Sequence, residues 1–196
     1  MCRLFETIKL INGQAQNLVF HDLRLNTSRK ILFGINEKLR LSDAITVPDE
    51  FKNGIARCRV IYGPSIVSVE FSTYHRAPVQ TLKLVEANNL EYDHKYLDRT
   101  CLTRLIDKNK ADDILIVKNG FLTDTSYSNI AFTDGKYWFT PDTPLLRGTM
   151  RDMLLSKGLM KTERIKTDKL GRYTQFRLIN SMLEFDSPLL PVNNIL

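Results

Sequence analysis

Three short segments between Lys95 and Arg151 carry residue types that can do chemistry together. HKYLDR contains Lys95, TDTSYSN contains Asp124, and LLRGTMRD places Gly148 before a predicted helix. A lysine amine can form a Schiff base with an aldehyde, a carboxylate can keep a pyridine nitrogen protonated, and bare N–H groups at a helix start can bind phosphate. These are the groups that binding and activation of pyridoxal phosphate require. No single one of them is diagnostic.

Lys95 has neighbours that favour a reactive lysine, although most lysines are solvated surface residues. His94, Tyr96, Asp98 and Arg99 flank it, at a predicted junction between two lobes. A lysine in a partly buried, cation-rich cleft loses its proton more readily and becomes a nucleophile. After the cofactor passes to a substrate amine, the freed lysine can move a proton at the substrate carbon.

Asp124 closes a short strand that follows the Asn119-Gly120 turn. An aspartate in a Thr-Asp-Thr-Ser run commonly caps a turn, and the sequence alone favours that role. In the functional interpretation Asp124 is partly buried beside a cation, where its charge raises the pKa of a pyridine nitrogen. Asn129, with Ser126 or Ser128, would then hold the carboxylate in orientation.

Gly148 permits close backbone approach, and the N–H groups of Thr149 and Met150 point along the helix dipole toward an anion. Many helices start this way without binding an anion. Arg24, on the predicted first helix, has a guanidinium fork that suits phosphate. The alternative role for Arg24 is a surface salt bridge.

Length and composition are those of a globular protein with two small lobes that pack together. The chain has 196 residues, with 43% hydrophobic and 26% charged residues, and no apolar run reaches the roughly 18 residues of a membrane span. The polar run EANNLE predicts a lobe boundary that divides residues 1–87 from 88–196. The start, MCRLFETIKLING, lacks a signal-peptide layout and predicts a cytoplasmic protein.

The cysteine count bears on disulfides and metal sites, and the net charge bears on the kind of ligand or partner. Cys2, Cys58 and Cys101 are an odd number at unrelated spacings, which argues against a disulfide framework and predicts no metal site. The net charge is +6, but acidic residues lie between the basic ones, so a nucleic-acid partner is not favoured. The positive field suits a phosphate-bearing cofactor or a small anionic substrate.

Periodicity and turn residues predict a mixed α+β chain. The Asn12-Gly13, Asn119-Gly120 and Asp134-Gly135 pairs predict hairpin turns. The predicted strands are 3–11, 14–19, 55–62, 65–71, 81–85, 113–118, 127–132, 136–140, 162–166, 176–179 and 189–192. The predicted helices are 23–33, a second near Ser42, 96–106, one after Gly148 and one capped by Thr167-Asp168. The first lobe is predicted to close with strand 81–85.

Taken together, these segments resemble the class IV aminotransferase family, also called fold type IV, which includes branched-chain and D-amino-acid aminotransferases and aminodeoxychorismate lyase. FETIKLING resembles the early strand, HDLRL the His-x-x-Arg-Leu helix, and HKYLDR the segment of the Schiff-base lysine. TDTSYSNIAF resembles the Glu-x-x-x-x-Asn segment, LLRGTMRD the phosphate-binding turn, and INSM a second phosphate contact. The resemblance implies a two-lobed α+β fold like that of D-amino-acid aminotransferase, with a shortened N-terminal lobe.

The resemblance also implies roles for single residues. Lys95 would be the Schiff-base and proton-shuttle residue, Arg24 a phosphate ligand, and Asp124 the partner of the ring nitrogen. The remaining implied cofactor-binding residues are Tyr127, Asn129, Leu146, Gly148, Thr149, Met150 and Ser181, of which Leu146 would pack on the pyridine face. The chain departs from the family pattern where Asp124 replaces the usual glutamate and where the hydroxyl of Thr149 follows the glycine directly.

Two reactions are compatible with this resemblance. The compact chain, the KYLDR and TPDTPLLRGTMR segments and the INSM ending favour a lyase of folate synthesis, which makes 4-aminobenzoate and pyruvate from aminodeoxychorismate. The alternatives are an aminotransferase for branched-chain or D-amino acids and a non-catalytic binding module. Tyr62 stands where D-amino-acid transaminases place a carboxylate-binding arginine, and Arg57 or Arg59 could serve if they face the cleft. Family members are usually homodimers.

Overall fold

The computed structural model describes residues 2–76, 78–107, 110–183 and 185–196. The chain divides into two compact units. Unit 1 comprises Met1–Arg76 and His94–Asp98, and unit 2 comprises Ala77–Asp93 and Arg99–Leu196. Each unit has its own sheet structure and its own hydrophobic core.

Unit 1 is built on a four-stranded antiparallel sheet in the order β2-β1-β3-β4. Its strands are β1 (Leu4–Ile11), β2 (Gln14–Ala15), β3 (Ile55–Tyr62) and β4 (Ile66–Thr73). Its helices are α1 (Leu18–Phe33), α2 (Leu41–Ala44) and a 3-10 turn at Asp49–Phe51. Strand β3 has the predicted bounds, and β4 differs from its predicted bounds by one or two residues.

Alternation along β1 and β3 decides which side chains enter the core of unit 1. On β3, Cys58, Val60 and Tyr62 are buried, while Arg57 and Arg59 lie on the opposite face. On β1 the residues Leu4, Glu6, Ile8 and Leu10 share the buried face, and Leu25 of α1 packs in the same core. One carboxylate, that of Glu6, therefore stands in a row of apolar side chains.

Helix α1 begins five residues before its predicted start at Leu23 and ends at Gly34 as predicted. Asn17 has a φ of 56°, and this left-handed residue turns the chain into the helix directly after the two-residue strand β2. The predicted strand 14–19 was therefore wrong beyond residue 15. Gly34 has a φ of 71°, and its N–H bonds the carbonyls of Arg29 and Lys30, which ends the helix.

Unit 2 contains a three-stranded sheet, β5-β6-β7, and a five-stranded sheet, β10-β9-β8-β11-β12. The first sheet consists of β5 (Leu82–Glu86), β6 (Asp113–Lys118) and β7 (Phe121–Thr125). The second consists of β8 (Asn129–Thr133), β9 (Trp138–Pro141), β10 (Lys161–Glu163), β11 (Gln175–Ile179) and β12 (Leu190–Pro191). Its helices are α3 (Thr100–Thr103), α4 (Thr149–Ser156) and 3-10 turns at Thr167–Arg172 and Val192–Asn194.

Two segments pair in ways that the sequence did not predict. Strand β5, predicted to close the first lobe, pairs in parallel with β6 of unit 2, in the register Leu82 with Asp113. The predicted helix 96–106 is reduced to α3, because Tyr96 instead forms a β-bridge with Leu4. This bridge joins residues 94–98 to unit 1. The division into lobes at residue 87 stays a prediction.

Aromatic and aliphatic packing holds α4 and the larger sheet of unit 2 in place. Phe132 lies 5.2 Å from Tyr173 and 6.3 Å from Phe176, measured between ring centroids, in the main core of the unit. A second cluster contains Met150 and Leu154 of α4 with Ile179 of β11. The start of α4 is thereby fixed against the end of β11.

The helices of this chain are short. The longest helix in the part of the chain that the structure describes, α1, has 16 residues. Among these residues no helix combines the length and the apolar character that a membrane crossing requires.

Substitution of Gly120 in the β6–β7 turn is predicted to lower the free energy of unfolding. Asn119 and Gly120 have φ values of 53° and 79°, as a type I′ hairpin turn requires. A methyl group at Gly120 would meet no atom within 4 Å, so Gly120→Ala costs only the backbone strain, about 1–2 kcal/mol of unfolding free energy. Urea denaturation measures this loss.

The matched control is Gly171→Ala. A methyl group there also meets no atom within 4 Å, and the φ of Gly171 is not positive. We expect no comparable loss in this variant. Equal losses in the two variants would show that the strain argument is wrong.

Candidate active site

Glu6 is the centre of a charged group in the core of unit 1. Its carboxylate is fully buried, and His21 and Arg24 approach it from adjacent turns of α1. Arg24 Nε donates to Oε1 at 2.9 Å and Nη2 to Oε2 at 2.5 Å, while His21 Nδ1 lies 2.6 Å from Oε2. Because an ionised carboxylate only accepts hydrogen bonds, Nδ1 of His21 carries a proton.

Ion pairing decides the charge state of this group. Burial by itself raises the pKa of Glu6, but the charge of Arg24 and the contacts with His21 outweigh it and hold the pKa at about 2. Burial lowers the pKa of His21 and outweighs the opposing effect of Glu6, so the imidazole is neutral. Arg24, the predicted phosphate ligand, is thus held by a buried carboxylate rather than by a surface salt bridge. Its contact with phosphate stays a prediction.

Lys95 lies beside β1 within the same unit. The N–H of Phe5 donates to the carbonyl of Lys95 at 3.0 Å, and Lys95 Nζ lies 4.6 Å from the centroid of the Phe5 ring. The preceding residue, His94, is buried, and its Nδ1 lies 3.0 Å from the hydroxyl of Ser28 on α1. The lysine therefore sits on a segment that β1 and α1 both hold.

Asp124 of unit 2 is buried at the end of β7, with 5% of its surface exposed. Asn129 Nδ2 donates to its Oδ1 at 2.7 Å, and the N–H of Leu146 donates to its Oδ2 at 2.9 Å. Asn129 Nδ2 also donates to the carbonyl of Leu146 at 2.9 Å. These donors lie 5 and 22 residues further along the chain, so Asp124 joins distant segments and its role is not that of a local turn cap. The predicted contact with Asn129 is confirmed.

The pKa of the Asp124 carboxyl lies close to neutral pH. Burial raises its pKa to about 6, although the hydrogen bonds from Leu146 and Asn129 and the charge of Arg151 act to lower it. The guanidinium of Arg151 is itself directed to the carbonyl of Pro141, 2.9 Å from Nη2, and to Asp152. A cation bound beside this carboxyl would lower the carboxyl pKa. The resulting carboxylate would in turn stabilise the cation. A protonated ring nitrogen fits this requirement.

Gly148 is needed for space rather than for backbone freedom. Its φ of −77° is ordinary, but a Cβ at this position would lie 1.9 Å from Oδ1 of Asn129. Helix α4 begins at the next residue, Thr149, and its N-cap residue, Gly148, gives it no side-chain hydrogen bond. A helix start of this kind presents backbone N–H groups and the positive end of the helix dipole. Such a start fits a phosphate group.

The turn after β11 carries Ser181. Asn180 Nδ2 donates to the hydroxyl of Ser128 at 3.0 Å, and its Oδ1 accepts the N–H of Met182 at 2.8 Å. Ile179, at the end of β11, pairs with Asn129. Ser181 therefore lies in a turn that is tied to the segment preceding Asn129.

Within unit 2 the structure brings several predicted site residues together. Asp124, Asn129, Leu146 and Gly148 form one connected group, from which α4 continues. Tyr127 differs, because its ring packs against the main hydrophobic core of the unit. Lys95 and Arg24 belong to unit 1.

Sequence reasoning assigned no role to two residues of the charged group, Glu6 and His21. The signal was present in the sequence: an acidic residue interrupts an apolar row on a strand, and a His-x-x-Arg pair follows on a helix. Residues three apart on a helix face the same side, so both can reach one carboxylate.

The sequence matches the family described as amino-transferase class IV over residues 3–195. The chain belongs to the class IV aminotransferase family. Members of this family are pyridoxal-phosphate enzymes, and this chain is such an enzyme, either a lyase or an aminotransferase. The buried carboxyl of Asp124 and the start of α4, both in unit 2, are groups that fit the ring and the phosphate of this cofactor.

Relatives of this class IV family protein cover nearly its whole length. An uncharacterised protein of Haemophilus influenzae is 35% identical over 93% of this chain and 98% of its own length. A crystal structure from Haemophilus somnus, named "putative 4-amino-4-deoxychorismate lyase", is 33% identical, has a TM-score of 0.84 and covers 93% of this chain and 97% of that one. A Mycobacterium tuberculosis structure, named a hypothetical aminotransferase in its PLP-bound form, shares the fold at 18% identity, with a TM-score of 0.76 over 96% of this chain and 80% of that one.

Gly148→Ala is predicted to disrupt the Asp124 group. The added methyl group forces Asn129 away, which breaks its hydrogen bonds to Asp124 and Leu146. Strain and lost buried hydrogen bonds together cost about 3 kcal/mol of unfolding free energy, more than Gly120→Ala costs. Urea denaturation of both variants makes this comparison, and a loss no larger than that of Gly171→Ala would contradict the close approach.

Asp124→Asn is predicted to change the pH dependence of stability. The folded-state pKa of Asp124 is raised to about 6, so protonated Asp124 contributes to the free energy of unfolding at low pH. This contribution is lost as the pH rises through about 4 to 6. The wild-type free energy of unfolding therefore falls by about 3 kcal/mol across this window from this group alone. Asp124→Asn has no titrating group at this position. The difference between its free energy of unfolding and that of wild type therefore changes with pH in this window.

Denaturation at a series of pH values, with and without pyridoxal phosphate, measures this difference. A bound ring cation stabilises the ionised carboxylate, so the cofactor should reduce the pH-dependent fall in the free energy of unfolding of wild type. A difference between variant and wild type that stays constant from pH 4 to 7 would show that Asp124 ionises like an exposed carboxyl.

Proposed function

We propose that this protein is a pyridoxal-phosphate-dependent lyase that converts 4-amino-4-deoxychorismate to 4-aminobenzoate and pyruvate. The observation that carries the proposal is the full-length similarity, at 33% identity and a TM-score of 0.84, to the Haemophilus somnus structure whose name gives this activity. The buried Asp124 carboxyl and the segments that resemble lyases of folate synthesis support it.

The residues of unit 1 would hold the reacting end of the cofactor. When bound, pyridoxal phosphate draws electrons away from the substrate carbon next to the amine. Lys95 would hold the cofactor covalently and, once released, move the proton at the substrate carbon. The Glu6 carboxylate holds Nε and Nη2 of Arg24, so Arg24 would contact the phosphate through the remaining edge of its guanidinium.

The residues of unit 2 would hold the ring and the phosphate. Asp124 would bind the ring nitrogen, with Asn129 and the backbone of Leu146 fixing the carboxylate. The Leu146 side chain would cover one ring face and exclude water, with Tyr127 nearby. The groups proposed for the phosphate are the helix start and the turn after β11, namely Gly148, Thr149, Met150 and Ser181.

A lyase and an aminotransferase differ in the step after the loss of the proton. In the lyase the bond between the ring carbon and the enol-pyruvyl oxygen breaks, the ring becomes aromatic, and the released enol takes up a proton to become pyruvate. An aminotransferase would instead release a keto acid and pass the amine to a second keto acid. The homodimer implied by the family resemblance and the cytoplasmic location indicated by the N-terminal sequence remain predictions.

Removal of the Lys95 amine tests the cofactor role. Wild-type protein with pyridoxal phosphate should be yellow and form a covalent adduct that borohydride traps, because the Lys95 amine attacks the aldehyde. Lys95→Ala should form no such adduct, whereas Lys157→Ala, which removes an exposed lysine, should behave as wild type. Mass spectrometry of the reduced protein locates the adduct. A wild type that ignores the cofactor would overturn the proposal.

The substrate is tested by incubation with aminodeoxychorismate and measurement of pyruvate. Release of pyruvate and 4-aminobenzoate in equal amounts supports the lyase. Transfer of an amine to a keto acid without pyruvate release indicates the aminotransferase. A coloured protein with no turnover in either assay indicates a binding module.

A further inference from the structure

His94 attaches the Lys95 segment, residues 94–98, to helix α1. The residue is 8% exposed, and its Nδ1 lies 3.0 Å from the hydroxyl of Ser28, which is also buried. Its ring packs edge-on against Tyr96, with the ring centroids 5.9 Å apart. A buried polar atom without a partner is costly, so this contact favours one position of the imidazole. His94 is therefore held in a fixed orientation between the segment and the helix.

Strand β1 and the residue before it hold the same segment through the backbone. The N–H of Phe5 donates to the carbonyl of Lys95 at 3.0 Å, and the N–H of Leu97 donates to the carbonyl of Arg3 at 2.9 Å. Two attachment points along one stretch of chain define a line, and the segment could still turn about that line. The histidine contact lies on a different element, α1, and removes this freedom.

Helix α1 carries Arg24 one turn before Ser28. Residues four apart lie on the same side of a helix, with about 5–6 Å between their Cβ atoms. The charge of Lys95 reaches the same helix: burial is the largest cause that lowers the pKa of His21, and the charges of Arg24 and Lys95 act in the same direction. One rigid helix therefore lies near the lysine amine and carries the group proposed to contact the cofactor phosphate.

We propose that His94 is a positioning residue that sets where the Lys95 amine meets the cofactor aldehyde. In pyridoxal phosphate the phosphate arm and the aldehyde are attached to one rigid ring, so their separation varies little. The protein must therefore hold its phosphate ligand and its reactive lysine at a matching separation. The helical turn from Arg24 to Ser28, extended by His94, would set this separation within unit 1. The inference rests on the proposed function for the roles of Lys95 and Arg24.

The experiment separates cofactor binding from reaction at Lys95. Pyridoxine phosphate has an alcohol in place of the aldehyde and binds without reacting, so calorimetric titration measures its dissociation constant. With pyridoxal phosphate, the Lys95 nitrogen bonds to the aldehyde carbon and the oxygen leaves as water. The yellow colour and the adduct trapped by borohydride measure the rate of this reaction.

His94→Phe keeps an aromatic ring but loses Nδ1, so the lysine is no longer held in register with α1. Adduct formation should be about 10- to 100-fold slower than in wild type, because a small misplacement of a reacting group is enough for such a loss. The dissociation constant of pyridoxine phosphate should change by less than about twofold, because the contact does not involve the phosphate ligands.

Three further variants test the contact itself. Ser28→Ala removes the partner on α1 and should slow adduct formation as much as His94→Phe does. The double variant should be no slower than either, because both changes break the same contact. His94→Asn places an amide, which can donate or accept, near the position of Nδ1 and should recover part of the rate. The matched controls, His75→Ala and Thr27→Ala, remove an exposed imidazole and an exposed hydroxyl and should keep the wild-type rate.

The outcomes distinguish a failure of this inference from a failure of the proposed function. A wild-type rate in His94→Phe or in Ser28→Ala would overturn the inference and leave the role of Lys95 intact. A loss of pyridoxine phosphate binding as large as the loss of rate would show that His94 supports the fold of unit 1 and is not a positioning residue. A wild type that forms no adduct at Lys95 would overturn the proposed function, and the inference with it.

Discussion

Removing a carboxylate from water is costly, so the groups that satisfy a buried one constrain the structure around it. In unit 2 one such carboxylate is that of Asp124, whose oxygens accept hydrogen bonds from Asn129 at the start of β8 and from the backbone of Leu146. Asn129 can reach Asp124 and Leu146 together only because Gly148 leaves room for its side chain. The strand end, the loop and the start of α4 are therefore held by one desolvated group.

Unit 1 buries a carboxylate with the opposite electrostatic result. Glu6 is paired with Arg24 and bonded to His21, and its pKa is held at about 2, so it stays ionised over the physiological range. Burial raises the pKa of Asp124 to about 6, because its hydrogen bonds and the charge of Arg151, whose Nη2 donates to the carbonyl of Pro141, only partly offset the loss of hydration. The first carboxylate serves to fix the Arg24 cation and the neutral His21 imidazole on α1. The second can change its charge when a cation arrives, which is the property that a partner for a ring nitrogen needs.

Local signals in the sequence predicted the elements that local physics controls. The Asn119-Gly120 turn, strand β3 and the helix end at Gly34 depend on backbone conformations and alternation that a few residues determine. The parallel pairing of β5 with β6 and the bridge from Tyr96 to Leu4 were not predicted, because non-local pairing has no local signature. In the site, the contact between Asp124 and Asn129 followed from spacing, whereas the Glu6 group required knowing that α1 packs on β1.

The sequence resemblance implies that Asp124 takes the position of the usual family glutamate, and there its carboxylate would be one methylene closer to its strand. A shorter side chain has fewer rotamers to lose, and its position depends more directly on the backbone that holds it. Here Leu146 supplies an N–H to Oδ2 and, if its side chain covers the ring face as proposed, sets both the depth of the carboxylate and the position of the ring. Two hydrogen bonds use about half of the four acceptor positions of a carboxylate. A remaining acceptor position would let Asp124 accept a ring N–H. For this contact the ring must lie closer to β7 than it would beside a glutamate.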